Sequence, residues 1–212
     1  MPEESKTVNF LMKCWLRTIQ NIVGPNGLKS VLNYAHLQNY IDNFPPDNEL
    51  FEIPVKDARD LFHSLYELFG SKGSRSLSFR VGREYARIGI DGRPAIVKAL
   101  MLAARLVPEK MKMRLALDKL VETENMWFRS NVSGPIVELK EEGNYFYIVR
   151  KDWFESGGIV SQQPVCGMYS GMLQYIMKWI TGHEHDVEEI ECKAMGDSVD
   201  VFRIEKARKE ES

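Results

Sequence analysis

The chain has 212 residues, 44% of them hydrophobic, with a formal net charge of -2 and a pI near 6.1. That length allows one large domain or two small ones with a real core, and the weakly acidic balance argues against a nucleic-acid footprint. No stretch is long and apolar enough to span a membrane, residues 1–6 lack the basic-then-apolar pattern of a secretion signal, and three cysteines give no disulfide framework, so a cytoplasmic location is expected.

The first half of the chain reads as helices. Val8, Leu11, Met12, Trp15, Ile19 and Ile22 recur at helical spacing and stop near Gly24. Pro25 then opens a second helix carrying Leu28, Val31, Leu32 and Ala35. Asn43 to Asn48, with two prolines, reads as a loop. Val55, Ala58, Leu61, Phe62, Leu65, Leu68 and Phe69 form an amphipathic helix that stops at Gly70. A further helix is expected over Arg75 to Ile88, with Arg80, Arg83 and Arg87 near one face and Glu84 and Asp91 as their partners. Ala95 to Leu106 is rich in Ala, Leu and Met and is expected to be well buried, and Pro108 opens a helix reaching about Glu124.

The pattern then changes to strands. Ile136–Leu139 and Tyr145–Val149 flank Glu141-Glu-Gly-Asn144, a hairpin signature. Asp152 to Gln163 reads as a connecting loop. Pro164 starts a helix whose apolar positions run from Val165 to Ile180 and which Gly182 caps. Asp186–Cys192 and Val199–Ile204 are two more strands, joined by a turn at Gly196-Asp197. The order predicts an α+β fold, N-terminal helices packed on an antiparallel sheet of about four strands. We read a helical region at 1–127 and an α/β region at 128–206 forming one compact unit, with a solvated, frayed tail at 207–212.

The last quarter of the chain is the most chemically specific. It holds two of the three cysteines, Cys166 and Cys192, with Glu189 and Asp200. Cys166 falls in the first turn of its helix, where unpaired N–H groups favour a thiolate. Asp200 is in phase with Phe202 and Ile204 on one strand face, so it sits at the sheet end in water or is buried with a partner. Zinc accepts two thiolates and two carboxylates; the alternative is two small core cysteines and two solvated acids. His183 and His185 lie nearby as substitutes for an acid ligand, or as part of a polar loop.

The order Pro164-Val-Cys166, Glu189-x-x-Cys192, Gly196-Asp197 and Phe202-x-Ile204 resembles the 4-vinyl reductase domain family. Upstream, Gly24-Pro-Asn-Gly27, Asn43-Phe-Pro-Pro-Asp47 and Gly70-Ser-Lys-Gly-Ser-Arg75 resemble its stand-alone members. The resemblance implies a TRAPP-subunit-like fold, related to haem nitric-oxide-binding domains. It also implies binding or sensing of a hydrophobic small molecule, often with a zinc site of cysteines and a glutamate. Cys166, Glu189 and Cys192 match three of those positions; Asp200 stands where the family has a further cysteine, which weakens thiolate selectivity.

A helical layer over a sheet leaves room for an apolar cavity. Met126, Trp127, Tyr169 and Met172 are the candidate lining residues, each equally readable as core filler. No G-x-G-x-x-G, P-loop, H-E-x-x-H or Gly-flanked serine occurs, so the sequence argues against an enzyme. The leading expectation is a non-enzymatic binder of a hydrophobic small molecule (aromatic, lipid or pigment-like), with zinc as its cofactor and a second copy of itself as partner. The alternatives are an accessory factor or reductase component of tetrapyrrole or bacteriochlorophyll metabolism, and a scaffold or tethering subunit.

Overall fold

The computed structural model describes residues 5–127 and 135–208. Strand β1 (Lys6–Val8) leads into helix α1 (Asn9–Tyr34), and β2 (Phe51–Pro54) into α2 (Val55–Asp91). The two short strands pair antiparallel, a contact the sequence pattern did not announce. Both long helices break where expected. Gly24 has φ 77° and ψ 170°, and Gly70 has φ 69° and ψ 175°. Only a residue without Cβ takes that geometry cheaply, so each helix turns there into a second segment. Helices α3 (Pro94–Ala104) and α4 (Glu109–Trp127) complete the helical layer.

Strands β3 (Val137–Glu142), β4 (Tyr145–Arg150), β5 (Val187–Glu191) and β6 (Asp200–Glu205) form one antiparallel sheet in the order β3-β4-β6-β5. Helix α5 (Gly167–Thr181) connects β4 to β5. The fold is therefore α+β with helices on a four-stranded antiparallel sheet, as the sequence pattern predicts. Phe146 and Ile148 of β4 and Phe202 and Ile204 of β6 alternate onto the covered face and are fully buried. Tyr169 of α5 packs on Phe202, with ring centroids 4.7 Å apart.

Helix α5 is held in a close crossing with α2. A Cβ on Gly82 would lie 1.9 Å from the Met168 carbonyl oxygen, and one on Gly171 2.1 Å from that of Phe79. Side-chain-free positions on both helices let the backbones meet. Gly82→Ala is accordingly expected to lower the unfolding free energy by at least about 2 kcal/mol. Urea denaturation checks this; an unchanged midpoint and slope would contradict the crossing.

Three local expectations are corrected. Helix α3 is not well buried: Met101, Leu102 and Leu106 are exposed, the last at 88%. Its apolar inner positions, Val97 and Leu100, face a cavity instead of a filled core. The start of the tail is not frayed, since Arg208 forks onto Glu109 of α4 at 2.5–3.1 Å. The boundary expected at 127/128 falls against residues 128–134, outside the described residues. Arg87 does pair with Glu84 and Asp91, whereas Arg83 reaches Gln174 of α5 at 2.8 Å.

Candidate functional site

Cys166, Glu189, Cys192 and Asp200 converge. One ligand atom from each lies within 4.8 Å of the other three, and all four residues are buried. Cys166 immediately precedes α5, Glu189 lies on β5, Cys192 follows β5, and Asp200 begins β6 opposite Arg150. Backbone bonds fix the acids. Cys166 N–H donates to Glu189 Oε2 at 3.0 Å, and Lys193 N–H donates to Asp200 Oδ1 at 2.8 Å. The Ser156 hydroxyl donates to Asp200 Oδ2 at 2.7 Å. Cys192 N–H donates to Asp197 Oδ2 at 2.8 Å, so the Gly196-Asp197 turn holds the second thiol.

Four acidic groups sharing a buried volume repel one another unless they hold protons or a cation. Burial pushes the Cys166 thiol well above its usual value. It pushes the Glu189 carboxyl up to about 9, the neighbouring Cys192 adding to the rise. Cys192 is drawn down to about 6, first by a hydrogen bond with Cys166. The thiolate is thus favoured at Cys192 and not, as the helix-start argument suggested, at Cys166, because desolvation outweighs the helix end. Arg75 is the nearby cation, 4.0 Å from Glu189 Oε2 and largely in water. Glu189 Oε1 is buried without a hydrogen-bond donor. An orphaned carboxylate oxygen facing two thiols fits a divalent cation, and with four protein donors the set suits a closed structural zinc site. His183 and His185 do not join it: His185 Nδ1 faces the Glu205 and Ala207 carbonyls at 3.0 Å, and His183 lies in the turn after α5.

A second feature lies beside the cluster. A cavity of ≈ 380 Å³ opens between α1, α2, α3, α4 and α5. Phe10, Leu11, Ala86, Ala116, Trp153 and Met172 line its buried end, while Glu49, Lys119 and Met126 stand nearer the surface. The loop from β4 to α5 joins cavity and cluster. Trp153 forms cavity wall and donates its Nε1–H to Glu155 Oε2 at 2.8 Å. Glu155 Oε1 accepts the Met168 N–H of α5 at 3.1 Å, and the next residue, Ser156, holds Asp200. Burial pushes the Glu155 carboxyl up to about 8.

Of the lining candidates, Met126 and Met172 border the cavity. The Trp127 side chain lies outside the described residues. Tyr169 is corrected: it sits behind the wall, its hydroxyl donating to Glu124 Oε2 at 3.1 Å. There it belongs to a buried ion pair that the sequence reading missed. Arg150 donates to Glu124 Oε2 and lies 4.0 Å from the Trp153 ring centroid and 4.9 Å from that of Tyr169. The pattern held a signal for both charges. Arg150 is in phase with Phe146 and Ile148 on β4, and Glu124 is in phase with Met113 and Leu117 on α4.

Solved structures place this architecture in a known class: it is the fold of H-NOX proteins. An Fe(II) unliganded H-NOX protein from K. algicida is 12% identical with a TM-score of 0.63, over 96% of this chain and 97% of that one. A Cs H-NOX mutant carrying the unnatural amino acid 4-cyano-L-phenylalanine is 17% identical with a TM-score of 0.59, over 97% and 100%. At such identities the likeness establishes the fold alone. Within the chain, residues 150–206, which carry all four clustered donors, match the family model of the 4-vinyl reductase domain, so this part of the chain is a 4-vinyl reductase domain. No curated protein sequence matches the chain.

Proposed function

We propose that the chain is a non-enzymatic binding or sensing protein for a hydrophobic small molecule, braced by a structural zinc ion. The observation that carries this reading is the ≈ 380 Å³ cavity, whose wall is mostly apolar and whose size falls in the range of small-ligand sites. Cys166, Glu189, Cys192 and Asp200 would hold the zinc, tying the start of α5 to β5 and β6. Zinc there supplies charge neutralisation and cross-linking, with no open position for a substrate. The residues around the cavity would enclose the guest and exclude water. No acid, base or nucleophile of the described lining is arranged for a reaction, which weighs against the reductase-component alternative. The cavity in turn distinguishes the binder from a bare scaffold.

The haem named for several H-NOX structures does not fit this lining. Among the described residues no histidine or cysteine borders the cavity, His63 Nε2 instead meeting the Gly157 carbonyl at 3.0 Å. A cytoplasmic location agrees with three unpaired thiols, and the exposed apolar residues of α3 would suit contact with a second copy. Among the described residues, no helix is long and apolar enough to cross a membrane.

The reading is tested by calorimetric titration with naphthalene, a guest without polar atoms. Wild type is expected to bind it, and Ala116→Phe, which fills the buried end of the cavity, is expected to lose at least tenfold in affinity while staying folded. Absence of binding to wild type, or equal binding by both proteins, would remove the cavity as the site.

A further inference from the structure

The buried end of the cavity is not uniformly apolar. Both hydrogen bonds that Glu124 accepts, from Arg150 and from the Tyr169 hydroxyl, fall on Oε2. Among the described residues Oε1 accepts none, and Glu124 borders the cavity. Tyr85 of α2 borders it too. Its ring is stacked on Phe10, with centroids 4.5 Å apart and planes 10° apart, and its hydroxyl makes no hydrogen bond among the described residues. The two groups are close enough for the Glu124 charge to help hold the Tyr85 hydroxyl protonated, after burial itself.

The other polar groups of the lining are engaged. Thr123 Oγ1 donates to the Lys119 carbonyl at 2.8 Å, Lys119 pairs with Glu122, and Arg93 pairs with Glu49 at 2.5 Å. The buried end therefore offers a guest one strong acceptor and one hydroxyl, surrounded by carbon. Buried polar atoms of this kind normally have partners. The charge of the partner follows from Arg150. Glu124 and Arg150 already balance one another, so an ammonium group would bring an uncompensated charge into an enclosed site, and a carboxylate would meet Glu124 head-on. A neutral donor avoids both.

Building on the proposed small-molecule binding, we propose that the cavity selects a compact, neutral, largely apolar ring compound bearing a hydrogen-bond donor, which Glu124 Oε1 accepts beside the Tyr85 hydroxyl. Glu124 and Tyr85 are then the specificity-determining residues of the site, and the apolar wall supplies most of the affinity. A hydrogen bond to a charged acceptor that is otherwise left unpaired is a strong discriminator, about tenfold or more between a donor and its blocked analogue.

The test is isothermal titration of the full chain with indole, 1-methylindole and indene. The three share a bicyclic skeleton, and only indole carries an N–H. Indole is expected to bind at least tenfold tighter than both others. Glu124→Gln is expected to erase most of that preference, and Tyr85→Phe, which keeps the stacked ring, to reduce it several-fold. Equal affinities for the three compounds, with naphthalene still binding, would overturn the donor assignment and leave the cavity reading intact. Failure of all four compounds to bind would remove both. Should Glu124→Gln fail to fold, Tyr85→Phe decides: an undiminished preference for indole in that variant would overturn the two-residue assignment.

Discussion

Replacing Cys192 with serine is expected to reduce bound zinc from about one ion per chain to near zero and to destabilise the fold by roughly 3 kcal/mol or more. The expectation follows from where the donors come from. Cys166 precedes α5, Glu189 belongs to β5, Cys192 follows it, and Asp200 opens β6. These segments are far apart in an unfolded chain, so a shared ion binds the folded state almost alone. Removing one thiolate also leaves the Glu189 carboxylate buried with no compensating charge except Arg75, which is largely in water. Elemental analysis and urea unfolding, each with and without chelator, check this. Cys14→Ser is the control: Cys14 is equally buried but lies on α1, so it should lose some stability and keep its metal. Equal zinc in all three proteins, or none in any, would contradict the site.

Glu124→Leu is expected to destabilise the protein by about 3–5 kcal/mol, because it leaves the fully buried Arg150 without its carboxylate. The double variant Glu124→Leu/Arg150→Met is expected to recover most of that loss. A buried ion pair is weak as a net stabiliser but severe when half is removed, and hydrophobic replacement of both halves restores packing. Here the stem and head of Arg150 lie between Trp153 and Tyr169, a slot that methionine fills without charge. Thermal unfolding of the two variants decides it. If both are equally unstable, Arg150 has a role in holding the wall that its charge alone does not explain.

The elements that were legible in the sequence were those with one dominant local cause. Gly24 and Gly70 break the long helices because each takes a positive φ, and Pro and Gly punctuation is local chemistry. The β3–β4 hairpin and the β5–β6 pair follow from strict alternation. The four clustered donors were identifiable because an acid in phase with Phe202 and Ile204 needs a partner, and two thiols stand close in the same segment. The open side of α3 was not legible, because an apolar composition does not say which neighbours cover it. The β1–β2 pair is too short to carry a pattern. The loop from β4 to α5 was read as a connector, although Trp153, Phe154 and Glu155 in it are all buried. Loops normally run over the surface, and bulky apolar residues in this one marked it as a wall. Glu124, Arg150 and Tyr85 were missed for a related reason: their roles arise where α2, α4, β4 and α5 meet, and no single periodicity records that meeting.

The most direct test of the binding account is native mass spectrometry of the full wild-type chain, purified without added metal or ligand. The account predicts a folded species whose mass exceeds the polypeptide by one zinc ion and by a small lipophile that organic solvent releases. A folded chain at the bare polypeptide mass, carrying neither, would contradict it.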